Sequence, residues 1–483
     1  MVEKYFTLSE IQSDLKQGRI SCSVLVNEYL KNIKDRNQEL NVFLEVFEEE
    51  VQQKAKEIDT KISKGNAGKL AGLVIGIKDI LCYKNHKCSA GSKILEGFES
   101  QFTATAIQRL IDEDVIIIGR QNCDEFGMGS TNENSAYNAC KNASDTQKVA
   151  GGSSGGSAVA VQANMCHLSI GSDTGGSVRL PAGYCGVVGF KPSYGRISRW
   201  GLIAYASSFD CIGTLAKSSQ DTALVLEIMA GSDDNDSTVS GLEVPKYSEN
   251  LEILTGKKFK IAYYQESLKE GLNPEVEAAF KLKINQLQTQ GHEVTAVDFP
   301  LIKALLPTYY VLTTAEVSSN LNRFDGIKYG HRSSNATDLI SHYKKTRSEA
   351  LGFEAQKRIM LGTFVLSANY YDAYYTKAQR VRRLLKEHTN QLFNDYDFII
   401  SPTSANTAPS LGVKSDNPIA MYLTDLFTVQ ANVVGCTAIA IPNGKDTKNM
   451  PIGFQIMANT FEEEKLLAFA NYIEQLPNYE QNH

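Results

Sequence analysis

The stretch Gly151-Gly152-Ser153-Ser154-Gly155-Gly156-Ser157, followed by Gly171-Ser172-Asp173-Thr174-Gly175-Gly176-Ser177-Val178-Arg179-Leu180-Pro181, holds two glycine-serine runs whose key serines, Ser153 and Ser177, lie 24 positions apart. Residues 165–170 enter the second run and read as a strand, 171–176 as a turn, and the chain enters a helix near Ser177. Glycines beside a serine let backbone N–H groups approach a reacting oxygen. Upstream, Leu73-Val74-Ile75-Gly76-Ile77-Lys78-Asp79 ends an apolar strand on a lysine. Burial there favours the neutral amine, which can act as a base. Two serines and such a lysine make an acyl-transfer set that needs no histidine.

In this set Ser177 is the nucleophile, Lys78 the base and Ser153 the relay between them. Thr174, Gly175 and Gly176 supply the N–H groups of an oxyanion hole, helped by the start of the helix. Asp79 points to the opposite face of its strand from Lys78, because neighbouring strand residues alternate. Rival readings fail on spacing. The Gly-Lys pairs are followed by Leu70, Lys258 and Asp446, so no phosphate-binding loop is present. Gly151-x-Ser153-x-Gly155 fits a hydrolase elbow, but the polar segment 141–148 before it is not a buried strand. The histidines, from His86 to His483, are isolated, so no metal site is expected.

Outward from this stretch, short β-branched runs at 73–77, 115–118, 165–170, 259–264, 294–299, 397–401, 437–441 and 452–456 read as strands. Helical stretches between several of them, such as 105–113, 156–163, 220–229 and 274–289, point to an α/β fold: a mixed, largely parallel sheet covered by helices on both faces. Residues 7–17 and 21–33 read as amphipathic helices and 42–63 as one longer helix. The expected organisation is N-terminal helices over 1–65 packing on the core, an α/β domain over 66–475, and a frayed tail at 476–483. Residues 302–395, poor in strand signal, form a helical insertion in that domain. Its run of Lys377, Arg380, Arg382, Arg383 and Lys386, closed by Glu387, reads as a solvated helix face.

The chain has 483 residues and a formal charge of −6, which argues against it gripping nucleic acid unaided. Its nine cysteines are scattered with no close pair and read as reduced, buried thiols of a cytoplasmic protein. No run approaches a membrane span or a secretory leader.

The block from Gly151 to Pro181 resembles the signature of the amidase signature family, whose Ser–cis-Ser–Lys triad falls on Ser177, Ser153 and Lys78. The resemblance gives Ser177 as the acylated nucleophile and places Ser153 on a cis peptide. Phe126-Gly127-Met128-Gly129-Ser130, Gly189-Phe190-Lys191-Pro192, Arg323-Phe324-Asp325-Gly326 and Tyr370-Tyr371-Asp372-Ala373-Tyr374-Tyr375 resemble one branch, the glutamine-hydrolysing A subunits of tRNA-dependent amidotransferases. That branch implies a B subunit that receives ammonia and activates misacylated tRNA with ATP and magnesium. It also implies a small bracing C subunit, and no cofactor in this one. By the same resemblance, Tyr309, Arg358 and Asp425 read glutamine, with the guanidinium on the α-carboxylate and the carboxylate on the α-ammonium. The chain departs from the family at Gly435-Cys436-Thr437 and at Val429-Gln430-Ala431-Asn432, beside the strand entry near Asp425. Cys436 reads as a structural thiol. The alternative is a stand-alone amidase of small amides.

Overall fold

A computed structural model describes residues 2–254, 256–268, 271–413 and 424–478. Eleven strands form one sheet: β1 (Phe43–Val46), β2 (Val74–Lys78), β3 (Ile116–Gln121), β4 (Leu168–Asp173), β5 (Val188–Lys191), β6 (Cys211–Ala216), β7 (Lys260–Tyr264), β8 (Glu293–Val297), β9 (Phe398–Pro402), β10 (Thr437–Lys445) and β11 (Pro451–Ala458). They lie in the order β1-β3-β2-β4-β6-β5-β10-β11-β9-β7-β8. Strands β2, β3, β4, β6, β9 and β11 are buried along their whole length, which requires cover on both faces. This is the expected mixed α/β sheet.

Its balance is less parallel than the alternation of strands and helices suggests. Four pairings are parallel (β2–β3, β2–β4, β7–β8, β7–β9), and six are antiparallel. The antiparallel centre arises because β10 turns directly into β11 over five residues and β5 pairs with both β6 and β10. Each of the eight expected runs carries a strand, displaced by up to a few residues. Strands β5 and β6 escape notice because Gly189 and Gly213 interrupt them, and glycine dilutes a strand signal. Strand β1 lies inside the segment read as one helix over 42–63. Asn41, left-handed at φ 54°, ends the preceding helix, β1 pairs with β3, and the helix proper is Glu48–Ser63.

The N-terminal helices Leu8–Lys16 and Cys22–Leu40 place Leu8, Ile11, Leu25 and Tyr29 in the main core. Between β8 and β9 the insertion runs through helices Ile302–Asn320, Leu339–Ala350, Phe353–Val365 and Lys377–Asp395. These helices close a second core around Phe126, Phe209 and Leu312. Strand β10 begins at Thr437 and pairs in register with Ala458, so the strand entry at Gly435-Cys436-Thr437 is regular. Of the expected tail, Pro477 is anchored, its carbonyl accepting Lys283 Nζ at 3.0 Å, whereas 479–483 lie outside the described residues. Among the described residues no helix is long and apolar enough to cross a membrane.

Topology decides where the chemistry sits. Parallel neighbours β2 and β4 end on the same edge of the sheet, with Ile77 level with Ile170. Lys78, the last residue of β2, therefore emerges beside the turn that follows β4.

Candidate active site

Lys78 is wholly buried, and its ammonium donates to three hydroxyls: Ser153 Oγ at 2.7 Å, Ser154 Oγ at 2.9 Å and Ser172 Oγ at 3.0 Å. Burial pushes its pKa down to about 8, against the pull of Cys123, Asp124, Asp173 and Asp210, which favour the charged form. Asp79 faces away, its carboxylate taking Arg120 Nη1, the N–H groups of Ser89 and Gly91, and the Ser89 hydroxyl. The Gly152–Ser153 peptide is cis. Ser154 and Ser172 are polar partners that the sequence does not single out, although both belong to the two glycine-serine runs.

Ser177 is joined to this cluster through the backbone, its carbonyl accepting the Ser154 N–H at 3.1 Å. It is 8 % exposed, whereas Lys78 and Ser153 are fully buried. Among the described residues its hydroxyl has no protein partner. The turn before it is fixed by Asp173. Burial alone would raise that carboxyl, but Arg179 holds it at about 2, with Nη2 on Oδ1 at 3.0 Å and Nε on Oδ2 at 3.1 Å. Arg179, itself wholly buried, also reaches Thr428 O, Gln455 and Asn432. Strand β4 continues through Asp173, so the turn is residues 174–178 and the helix, Arg179–Cys185, starts two residues beyond Ser177.

The three expected oxyanion donors part company here. The Gly176 N–H is engaged, donating to Asp173 Oδ1 at 2.8 Å. Gly176 has φ 125°, and a Cβ there would fall 2.1 Å from Thr428 Oγ1, so both backbone and space demand glycine. The N–H groups of Thr174, Gly175 and Ser177 have no protein acceptor among the described residues. A Cβ on Gly175 would fall 2.4 Å from Tyr309 Oη, so Tyr309 lies directly over the turn. Tyr309 is edge-on to Phe209 at 5.9 Å, and Arg382 lies over the Phe209 ring at 4.0 Å. Arg382 also donates to Val433 O and Ser208, so this member of the basic run is a strut, whereas Arg383 pairs with Glu387 at the surface.

Arg358, on helix Phe353–Val365, is nearly buried and donates Nε to Glu354 at 2.8 Å and Nη1 to Tyr205 Oη at 2.7 Å. Burial opposes its charge, but the Tyr205 and Tyr310 phenols and Glu354 hold it firmly protonated. Its Nη2 has no protein acceptor among the described residues. Asp425 accepts Ser130 Oγ on Oδ1 and Tyr310 Oη on Oδ2, each at 2.7 Å, and burial raises its pKa. Ser130, Tyr205 and Tyr310 are members that sequence reasoning misses. Ser130 lies in a family motif and Tyr310 beside Tyr309, but nothing local marks them. Cys436 is buried, with its thiol pushed up to about 11 by burial. Among the described residues no three His, Cys, Asp or Glu side chains converge as a metal site.

A family model described as Amidase matches residues 24–467. The chain is 46 % identical over 466 residues to the A subunit of the glutamyl-tRNA(Gln) amidotransferase of Chlorobium limicola, covering 96 % of this chain and 98 % of that one. The crystal structure of the corresponding A subunit from Thermotoga maritima superposes with a TM-score of 0.80 at 34 % identity, covering 100 % of this chain and 97 % of that chain. Peptide amidase of Stenotrophomonas maltophilia gives a TM-score of 0.82 at 27 % identity, covering 97 % and 96 %.

Proposed function

The chain belongs to the amidase family, and from that premise we propose that it is the glutamine-hydrolysing component of a tRNA-dependent amidotransferase. The observation that carries the reading is a buried lysine bonded to Ser153, with Asp425 tied through Thr428 to Gly175 of the Ser177 turn and the Arg358 charge acting on Asp425. Neutral Lys78 takes the Ser153 proton while Ser153 takes that of Ser177, and Ser177 Oγ attacks the carboxamide carbon. The oxyanion is met by the N–H groups of Thr174, Gly175 and Ser177. The proton returns through Ser153 to the departing nitrogen, which leaves as ammonia. Water then attacks the acyl-serine by the same relay and releases glutamate. Ammonia passes to a B subunit that activates misacylated Glu-tRNA(Gln) with ATP and magnesium, and a C subunit braces the assembly.

The surface supports a partner. Helix Phe353–Val365 turns Arg358 inward and exposes Phe353, Met360 and Phe364, and Phe364 continues into Tyr370 and Tyr374, with ring centroids 4.3 and 5.7 Å away. Aromatic and methionine side chains of this kind are enriched at interface centres.

Two results are expected. The kcat/KM for glutamine rises roughly tenfold per pH unit below the Lys78 value of about 8 and levels above it, because the base works only when deprotonated. A pH–rate series checks this, and a flat profile with chemistry rate-limiting would remove Lys78 from the role of base. Arg358→Ala lowers kcat/KM for glutamine by about ten- to a hundredfold, the loss of roughly 1.5–3 kcal/mol of charge-assisted contact, and spares a short amide without an α-carboxylate. The peptide amidase likeness gives the second reading, a general small-amide amidase. Equal losses on both substrates, with a lowered Tm, would favour it and make Arg358 a support of the fold.

A further inference from the structure

Two buried aspartates outside the catalytic set each bridge its reacting end and its substrate-reading end. Asp210 directly precedes β6. Its carboxylate accepts Thr174 Oγ1 at 2.6 Å from the Ser177 turn. The same carboxylate accepts the N–H groups of Tyr205 at 3.0 Å and Ala206 at 3.1 Å. Tyr205 is the residue whose phenol holds Arg358. Asp124 does the equivalent on the other side. Its backbone N–H donates to Ser153 O at 3.2 Å, and its carboxylate accepts the N–H groups of Asn132 and Asn134, each at 3.0 Å. Those bonds close the loop that presents Ser130 to Asp425.

We propose that Asp210 and Asp124 are positioning residues that hold Arg358 and Asp425 in fixed register with Ser177 and Ser153, so that an amide bearing both α-charges is delivered to the nucleophile. The inference rests on the reading of Arg358 and Asp425 as glutamine contacts. The Asp210 carboxylate accepts from two separate segments, and Asp124 links Ser153 through its N–H to the 132–134 loop through its carboxylate. Such short links are stiff joints, and burial keeps water from substituting for either partner. Both carboxyls are wholly buried, which raises each to about 6. Both also face Lys78 with Asp173 and Cys123, while Asp79 is turned to Arg120.

The test uses the full chain, Asp210→Asn and Asp124→Asn, glutamine and a short amide without α-substituents, with Tm measured alongside. The preference of the wild type for glutamine is measured first; its absence would overturn the reading of Arg358 and Asp425 as glutamine contacts, and the proposal with it, before any variant is scored. With that preference established, either variant is expected to reduce it by about tenfold or more, chiefly through kcat. Loss of a negative charge near Lys78 also moves the rising limb of the pH profile to lower pH. In an Arg358→Ala background, Asp210→Asn adds little further loss on glutamine, because both act through one contact. Should Asp210→Asn fail to fold, Tyr205→Phe cuts its bridge at the outer end, as Ser130→Ala does for Asp124, and each is scored on the substrate preference alone. Losses equal on both substrates overturn the proposal, wherever the pH limb falls, while leaving the glutamine reading intact.

Discussion

Ser177→Ala is expected to lower glutamine hydrolysis by roughly 10⁴- to 10⁶-fold while leaving the Tm unchanged. The first expectation follows from chemistry: without Oγ there is no acyl acceptor, and only the oxyanion donors and substrate contacts remain to hasten attack by water. The second follows from surroundings. The Ser177 hydroxyl has no protein partner among the described residues and is not sealed from solvent, so its removal strands no buried donor or acceptor. The tie between the two serine runs passes through the Ser177 carbonyl, which alanine keeps. Ammonia release measures the loss, and mass spectrometry of the wild type after reaction with an acylating glutamine analogue locates the adduct. An adduct on Ser153, or retention of turnover in the alanine variant, would reverse the roles of the two serines.

How much of this is readable from sequence depends on how local each requirement is. Strand β2 announces itself because a strand buried on both faces is apolar, and Lys78 stands out against such a run, whereas β4 carries Ser169, Ser172 and Asp173 and is marked only by Leu168 and Ile170. Gly176 is equally local, since it must take a φ that other residues resist, whereas the need for Gly175 comes from Tyr309, far away in sequence. Strand β1 fails the same test for a local reason, since its four residues lie just ahead of three glutamates that favour the next helix.

The substrate end is legible only by resemblance. Ser130 and Asp425 are 295 positions apart, and Arg358 and Tyr205 are 153 apart. No period or motif connects residues that only the closed fold brings together. Asp124 and Asp210 are invisible for a related reason. An isolated aspartate in a loop is ordinarily solvated, and only the closed fold shows that each is buried and which N–H groups its carboxylate holds. Arg382 is the opposite case: it sits in a basic run together with Arg383, which faces water, and a composition argument counts the two alike.

The second large effect is expected at Lys78, and two substitutions there separate a base from a charge. Lys78→Met removes the amine at nearly constant volume and should lower hydrolysis by roughly 10²- to 10⁴-fold, the usual range for a general base. It should not unfold the protein, because a buried ammonium carries a desolvation cost that methionine lacks; the hydroxyl oxygens of Ser153, Ser154 and Ser172 lose one donor, while Ser154 keeps its own bond to Ser172 O. Lys78→Arg keeps the positive charge but cannot deprotonate in the working pH range. If the lysine acted only by its field on the oxyanion or on Ser153, arginine would preserve much of the rate. As a base it is needed neutral, so arginine should be as inactive as methionine, and both variants should lose the rising limb near pH 8. Since Lys78, Ser153 and Ser177 form one relay, adding Lys78→Met to Ser177→Ala should cost almost nothing more. Initial rates for the single and double variants across the limb decide the matter. Substantial activity in Lys78→Arg with the limb retained would assign the proton to another group.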